Sequence, residues 1–179
     1  KNGRPGPVLI DIPKDIQFAR GPYLGPKEIS INSHRLFDPR IKENDTQIEE
    51  ATKLIAYAKK PIFYIGGGCI NSGPKASKFV REFVKLTGAP ASMTLMGLGT
   101  LPASDPLSLG MLGMHGMYEA NLAMHECDVM INIGARFDDR VTGRLDAFSP
   151  NSKKIHIDID ATSIQKNIKV DVPIVGDVE

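Results

Sequence analysis

The sequence predicts an α/β fold in which a doubly wound sheet of six parallel strands carries helices on both faces. Three observations support this prediction. Short apolar runs recur along the chain, as expected for strands that are covered on both faces. Helical patterns or loops separate these runs, and such alternation is typical of parallel sheets. Glycines or charged residues follow several of the runs, at the positions where such folds bind ligands.

The first helix of the predicted fold follows Asp45, whose side chain can cap it. Apolar residues then recur at helical spacing, at Ile48, Ala51, Ile55 and Ala58. Lys59 and Lys60, just before Pro61, indicate where the helix ends.

The first strand, residues 62–65, is apolar and ends at three consecutive glycines, Gly66, Gly67 and Gly68. A second helix is predicted over residues 75–87, because it places Ala76, Phe79, Val80, Phe83 and Val84 on one face. Gly88 is its expected end. The other strands are predicted at residues 91–93, 107–109, 129–133, 155–159 and 172–175. The glycine- and methionine-rich segment 110–121 is expected to be a loop that leads into a helix.

Residues 1–44 do not continue this pattern. The apolar run 8–12 resembles a strand of a parallel sheet, yet no helix precedes it to cover it. Residues 1–15 are therefore interpreted as the tail of a preceding domain that is absent from the sequence. Residues 16–44 contain Gly-Pro and Asp-Pro pairs without sustained periodicity and are interpreted as a linker. Residues 45–179 form the predicted domain.

Composition argues against several classes of function. The 22 basic and 21 acidic side chains give a net charge of +1, and no dense basic stretch indicates a nucleic-acid partner. No segment approaches the ~20 apolar residues of a membrane span. Cys69 and Cys127 fit neither a metal-ligand spacing nor a disulfide framework. We therefore expect no metal site, and two buried thiols in a reducing compartment.

The unusual residues follow the predicted strands, so they are expected along one edge of the sheet. They are the triple glycine, residues 94–99, residues 134–140, the segment from Asp158 to Asp160, and Gly176 with Asp177. Five loops on one edge make a long site, which suits an extended ligand such as a dinucleotide.

Each of these features also has a purely structural interpretation. The triple glycine is either a tight turn or a place where a phosphate approaches bare backbone; Asn71 breaks the usual dinucleotide fingerprint. Arg136 and Arg140 either bind phosphate or pair with neighbouring aspartates. Asp158 or Asp160 can bind ribose hydroxyls, and Asp160 can equally cap a helix.

The chain has the features of a binding domain and lacks the common catalytic motifs. The sequence contains no nucleophile elbow, no P-loop lysine and no paired histidines of a zinc protease. We expect ligand binding without covalent chemistry.

Five segments resemble a single enzyme family. They are GRPGPVLIDIPKD at residues 3–15, GMLGMHG at 110–116, GARFDDRV at 134–141, HIDID at 156–160 and PIVGD at 173–177. In this order, and over nearly the whole chain, they closely resemble the catalytic subunit of acetohydroxyacid synthases (acetolactate synthases), which depend on thiamine diphosphate. The resemblance identifies the domain as the central, Rossmann-like domain, which binds FAD in that family.

The resemblance implies two sets of site residues. The FAD set is Arg4, Gly66, Gly67, Gly68, Thr94, Leu95, Met96, Leu112, Gly113, Met114, His115, Gly134, Ala135, Arg136, Asp138, Arg140, Val141, Asp158, Ile159, Asp160, Ser163, Gly176 and Asp177. The set bordering the substrate and herbicide channel is Lys14, Met114, Asp139 and Arg140. No residue of the chain is expected to be catalytic or to bind a metal.

The resemblance also implies the activity of the whole enzyme, a transferase that condenses pyruvate with pyruvate or 2-oxobutyrate in branched-chain amino acid biosynthesis. Thiamine diphosphate and Mg²⁺ would bind in the flanking domains, so the chain alone is expected to hold FAD and be inactive. The implied partners are the other domains of the subunit, further copies in a homodimer or higher oligomer, and a regulatory small subunit. The implied location is the bacterial cytoplasm or a eukaryotic organelle.

Three alternatives remain open. The chain could be the central domain of a relative such as pyruvate oxidase, in which FAD is a redox partner, or of oxalyl-CoA decarboxylase, which binds a nucleotide there. It could be an NAD-binding domain of similar topology, as in sirtuins. It could also persist as a fold that binds nothing by itself.

Overall fold

The computed structural model describes residues 4, 6–7, 9–22 and 45–179, which fall into two units, Lys1–Asp38 and Pro39–Glu179. In the first unit a short helix, α1, spans Lys14–Phe18. Residues 9–12 form no strand and are exposed, and Val8 lies outside the described residues. The assignment of residues 1–15 to a preceding domain stays a prediction. Most of the predicted linker, residues 23–44, also lies outside the described residues.

The second unit alternates strands and helices along the chain. The helices are α2 (Asp45–Tyr57), α3 (Gly67–Asn71), α4 (Pro74–Thr87), α5 (Tyr118–Glu126) and α6 (Asp139–Thr142), with 3₁₀ turns at Leu95–Gly97 and Leu145–Ala147. The strands are β1 (Pro61–Ile65), β2 (Ala91–Met93), β3 (Ser108–Met111), β4 (Val129–Ile133), β5 (Lys153–Asp158) and β6 (Val172–Val175).

The six strands form one sheet in the order β3-β2-β1-β4-β5-β6, and every neighbouring pair is parallel. This confirms the predicted doubly wound fold. The chain reverses its direction of travel across the sheet between the adjacent strands β1 and β4. Their register pairs Pro61 with Val129 and Ile65 with Ile133, so the two strands end level with each other.

Apolar side chains cover both faces of the sheet. On one face, Ala51 of α2 and Val80 and Val84 of α4 join a buried cluster with Phe63 and Ile131. The alternate strand positions point to the other face, where α5 and the loops after β4 and β5 supply the cover. Strand β4 is buried over its whole length, because helices or loops lie on both of its sides.

Most of the predicted elements are confirmed, with shifted ends. Helix α2 begins at Asp45, which lies in its first turn. Gly88 ends α4 in a left-handed conformation with φ +66, and its N–H donates to the Val84 carbonyl at 2.9 Å. Strand β3 starts one residue later than predicted and extends to Met111, while β5 starts at Lys153 and ends at Asp158.

One predicted loop is partly helical. The triple glycine does not form a simple turn, because Gly67 and Gly68 begin the single-turn helix α3. The segment before α5 is a loop that leads into a helix, as predicted. None of the helices in the described part of the chain has the length and apolar character needed to cross a bilayer.

Candidate functional site

The loops that follow the strands meet along one edge of the sheet, which we call the carboxyl rim. Backbone hydrogen bonds join the neighbouring strand ends: Thr94 N to Ile65 O at 2.9 Å, Gly66 N to Ile133 O at 2.8 Å, Gly134 N to Ile157 O at 2.8 Å and Gly176 N to Asp158 O at 3.1 Å. With six strands spaced by about 4.8 Å, the rim is about 24 Å wide. This width is enough for an extended ligand such as a dinucleotide to lie along the rim.

The centre of the rim is a close contact between glycines. Gly68 N donates to Gly134 O at 3.0 Å, and a Cβ added to Gly134 would lie 2.7 Å from the Gly68 Cα. A Cβ added to Gly66 would likewise collide with the Gly134 backbone. These glycines are therefore required by contacts within the protein, so their presence alone does not indicate a ligand.

The loop after β3 reaches across the rim to the loop after β4. Met114 N donates to the Arg140 carbonyl at 3.1 Å, and a Cβ added to Gly113 would lie 2.6 Å from that same oxygen. The structure therefore brings Met114 close to Arg140 and the adjacent Asp139, and their role in a substrate channel stays a prediction. Lys14 and Arg4 belong to the first unit, and their predicted roles remain predictions.

Long apolar side chains project from the rim. Leu95, Met96, Met114 and Met117 are between 56 and 74% exposed. These side chains are available for contact with a ligand or another domain. Methionine side chains adapt to flat ring systems, because the thioether is flexible and polarisable.

The charged turn after β4 pairs internally. Arg136 donates from Nη2 to Asp138 Oδ2 at 2.6 Å, and both side chains are about half exposed. Arg136 therefore pairs with a neighbouring aspartate, which is the purely structural of its two predicted interpretations. The exposed Arg136 can still bind an anion by leaving this pair, since exposed ion pairs contribute little.

The two acids at the end of β5, Asp158 and Asp160, differ in their surroundings. Asp160 is held by its own turn, because its carboxylate accepts from Thr162 N at 3.0 Å, Thr162 Oγ1 at 2.6 Å and Ser163 Oγ at 3.2 Å. Asp158 ends β5 and accepts from Asp160 N through Oδ1 at 2.8 Å. Its Oδ2 lies 3.7 Å from His156 Nε2. Asp158 is buried, but its carboxylate accepts fewer hydrogen bonds than that of Asp160, so it stays a candidate to bind ribose hydroxyls.

The other predicted site residues take ordinary positions along the same edge. Thr94 caps the 3₁₀ turn by accepting from Gly97 N at 3.1 Å, and His115 is exposed. Gly67, Ile159, Val141, Gly176 and Asp177 are partly exposed, whereas Leu112, Ala135 and Ser163 are buried.

Sequence reasoning missed a row of polar side chains beneath the rim. The register places Tyr64, Asn132 and His156 side by side on β1, β4 and β5. Asn132 holds the turn after β4 by donating to Ala135 O at 2.7 Å and accepting from Ala135 N at 3.1 Å. The sequence did contain a signal for this row, because Asn132 is a polar residue inside an apolar strand. A buried polar side chain needs a hydrogen-bond partner, so its position indicates a structural contact.

Phe137 packs against this row from the turn after β4. Its ring centroid lies 5.5 Å from that of Tyr64 and 5.2 Å from that of His156. Burial raises the pKa of the Tyr64 phenol well above its usual range, so the group stays neutral. The row and the Phe137 ring together fix the turn that presents Arg136.

Cys69 follows the triple glycine but is not suited to be a nucleophile. Its side chain is fully buried, and burial raises the pKa of the thiol to about 12. The thiol donates to the Ile133 carbonyl at 3.5 Å. Cys127 is also buried and unbridged, so both cysteines are buried thiols as predicted.

Two surface cavities lie at the opposite edge of the sheet. One, of about 320 Å³, is lined by Leu54, Tyr57 and Val129, and the other, of about 550 Å³, by Pro61, Ile62 and Pro90 among others. Neither is lined by a residue of the carboxyl rim. The doubly wound topology favours the rim as the ligand site, because loops from both halves of the sheet converge there.

Comparison with known proteins identifies close relatives. Residues 48–179 match the family model of the thiamine pyrophosphate enzyme central domain. The chain is 48% identical to the acetolactate synthase large subunit of Buchnera aphidicola, over 99% of this chain and 30% of that relative. It is 46% identical to the acetolactate synthase isozyme 3 large subunit of Escherichia coli, over 98% of this chain and 30% of the relative. It is also 46% identical to the chloroplastic acetolactate synthase of Arabidopsis thaliana, over 99% of this chain and 26% of the relative. The chain thus spans less than a third of the length of these relatives.

Proposed function

Because the chain belongs to the family of thiamine pyrophosphate enzyme central domains, we propose that it is the central domain of an acetolactate synthase catalytic subunit. The observation that carries the proposal is the identity of 46–48% over essentially the whole chain to proteins of that name. The complete protein would condense pyruvate with pyruvate or 2-oxobutyrate. Thiamine diphosphate and Mg²⁺ would bind to domains outside this chain.

We propose further that the carboxyl rim binds FAD. Three features of the rim fit such a ligand: its width, the exposed apolar side chains of Met96 and Met114, and the acid at the end of β5. The glycine contacts support FAD binding only indirectly, because they bring β1 and β4 close enough to make one continuous edge.

Different residues of the rim would contact different parts of FAD. Asp158 would accept hydrogen bonds from ribose hydroxyls, the methionines would contact the flat ring, and Arg136 would bind the diphosphate on release from Asp138. The family resemblance gives bound FAD a mainly structural role, without a net redox step. The chain's own contribution would be to bind and orient the cofactor.

The same rim would border the substrate channel of the complete enzyme. Met114, Asp139 and Arg140 lie together there, since the backbone of Met114 bonds to that of Arg140. The assignment of Lys14 to this channel stays a prediction. The proposed partners are the other domains of the subunit, further copies of it and a regulatory small subunit, and the proposed location is the bacterial cytoplasm or an organelle.

Titration of the purified 179-residue chain with FAD tests the proposal. We expect the flavin fluorescence and absorbance to change with saturation, and NAD in excess to compete poorly. The matched variant is Asp158→Asn, which keeps the side-chain size but removes the negative charge. It should weaken FAD binding. No flavin signal at any concentration would refute the FAD site, and tighter binding of NAD would favour the alternative of an NAD-binding domain. Bleaching of bound flavin by pyruvate would instead indicate a redox enzyme.

A further inference from the structure

His156 is a buried side chain with no hydrogen-bond partner among the residues that the structure describes. Its imidazole is fully buried, and within the described part of the chain both ring nitrogens lack a hydrogen-bond partner. Leaving one buried polar group unpaired costs about 1–3 kcal/mol. An unpaired buried group at the edge of a candidate site calls for an explanation, and a role in that site is one.

The surroundings of His156 restrict where its ring can donate. His156 and Asp158 are two residues apart on β5, so their side chains lie on the same face of the sheet. The Phe137 ring meets the imidazole edge to face at a centroid distance of 5.2 Å and blocks movement on that side. Asp158 Oδ2 lies 3.7 Å from His156 Nε2.

This separation is about 0.5 Å longer than a hydrogen bond. A small rotation of the Asp158 carboxylate would close it, and Asp160 N already anchors the other oxygen at 2.8 Å. A ligand hydroxyl that binds the carboxylate from the rim would favour such a rotation. The carboxylate would then be held from three directions.

We propose that His156 is a positioning residue for the cofactor site: its Nε2–H donates to Asp158 Oδ2 and holds that carboxylate in the orientation that binds a ribose hydroxyl. His156 touches no part of the ligand and acts through Asp158. The inference rests on the proposed function, because it takes FAD as the ligand.

The test compares FAD affinity among variants of the 179-residue chain. His156→Leu removes the donor and should weaken FAD binding by about 10- to 100-fold. His156→Gln can place an amide N–H near the position of Nε2, so it should bind within about 3-fold of the wild type. His156→Asn is shorter and cannot reach Asp158, so it should resemble the leucine variant.

A double-mutant cycle separates positioning from a general structural effect. In the background of Asp158→Asn, His156→Leu should change the affinity by less than about 2-fold, because the carboxylate it orients is gone. Thermal unfolding of each variant shows whether it is folded. If the leucine variant does not fold, the comparison of glutamine with asparagine decides the question.

The outcomes distinguish the two proposals. A wild-type chain that binds no FAD overturns both the proposed function and this inference. A wild-type chain that binds FAD, with His156→Leu or His156→Asn binding equally well, overturns the inference alone. Independent, multiplicative effects of the His156 and Asp158 changes also overturn it.

Discussion

At the scale of single residues, Gly134 holds the two halves of the sheet together at the rim. Its φ of +64 is one that side chains rarely adopt, and the space beside it is filled by the Gly68 backbone. Gly88 has nearly the same φ, +66, but an added Cβ there would meet nothing within 4 Å. Comparing substitutions at the two glycines therefore distinguishes the cost of backbone strain, which both share, from the cost of steric crowding, which only Gly134 has.

We expect Gly134→Ala to destabilise the domain more than Gly88→Ala does. The left-handed conformation costs either variant about 1–2 kcal/mol, and crowding adds about 1–3 kcal/mol at Gly134 alone. Urea unfolding of both variants measures the difference. Equal losses of unfolding free energy would show that the strand ends separate easily, contrary to the close contact between Gly134 and Gly68.

Alkaline pH should destabilise the fold through Cys69. Its thiol pKa is raised from 9.0 to about 12 by burial, so between these values only the unfolded chain loses the proton. The free energy of unfolding then falls by about 1.4 kcal/mol per pH unit for this group. Burial also raises the pKa of Tyr64 and Cys127, with the same sign, whereas it lowers that of Lys154, which acts in the opposite direction.

Comparison with Cys69→Ala isolates the contribution of this thiol. The advantage of the wild type over the variant should shrink as the pH rises above 9, because the alanine protein has no such group. Urea unfolding between pH 7 and pH 10.5 provides the measurement. Parallel stability curves for the two proteins would contradict the assignment.

At the scale of elements, the turn after β4 depends on one buried amide. Asn132 both donates to and accepts from the backbone of Ala135. Asn132→Leu keeps the approximate volume but leaves that N–H and that carbonyl unpaired, so we expect a loss of about 2–4 kcal/mol. The measurement is urea unfolding, with FAD affinity as a second readout of the turn.

Asn132→Asp is the matched control, since its carboxyl keeps an acceptor and, when protonated, also keeps one O–H donor. It should lie between the wild type and the leucine variant in acidic buffer, where the carboxyl is protonated. If the leucine variant is as stable as the wild type, the turn is held by the packing of Phe137 alone.

The sequence predicted the elements whose local pattern and burial agree. Strand β4 is an unbroken apolar run in the sequence and is buried throughout the structure. Helix α4 has a clear apolar face and a glycine at its end. Helix α3 was missed because glycine is a poor helix former, and here the contact with Gly134 overrides that preference.

The site was predictable in outline but not in detail. Residues that follow strands in a parallel sheet must share an edge, which placed Gly134 and Asp158 correctly on the rim. Pairing across strands was not predictable from one sequence. It decides that Asn132 and His156 lie side by side, and it therefore decides which buried groups support the rim.

At the scale of the whole molecule, the N-terminal segment exposes apolar side chains. Leu9 is 92% exposed and Ile10 is 78% exposed. Such a segment can pair with another chain. Deletion of residues 1–15 should therefore reduce self-association, as measured by sedimentation velocity. An unchanged mass distribution would show that these side chains do not drive association.

The glycine contact at the centre of the rim has a consequence for efforts to alter ligand preference. Gly66, Gly68 and Gly134 leave no room for a side chain on one another. A substitution at any of them is therefore expected to destabilise the fold before it changes which ligand binds. Useful diversity must come from outlying positions such as Met96 and Met114, whose side chains have space to vary. A library directed at those loops would explore new ligands on an unaltered scaffold.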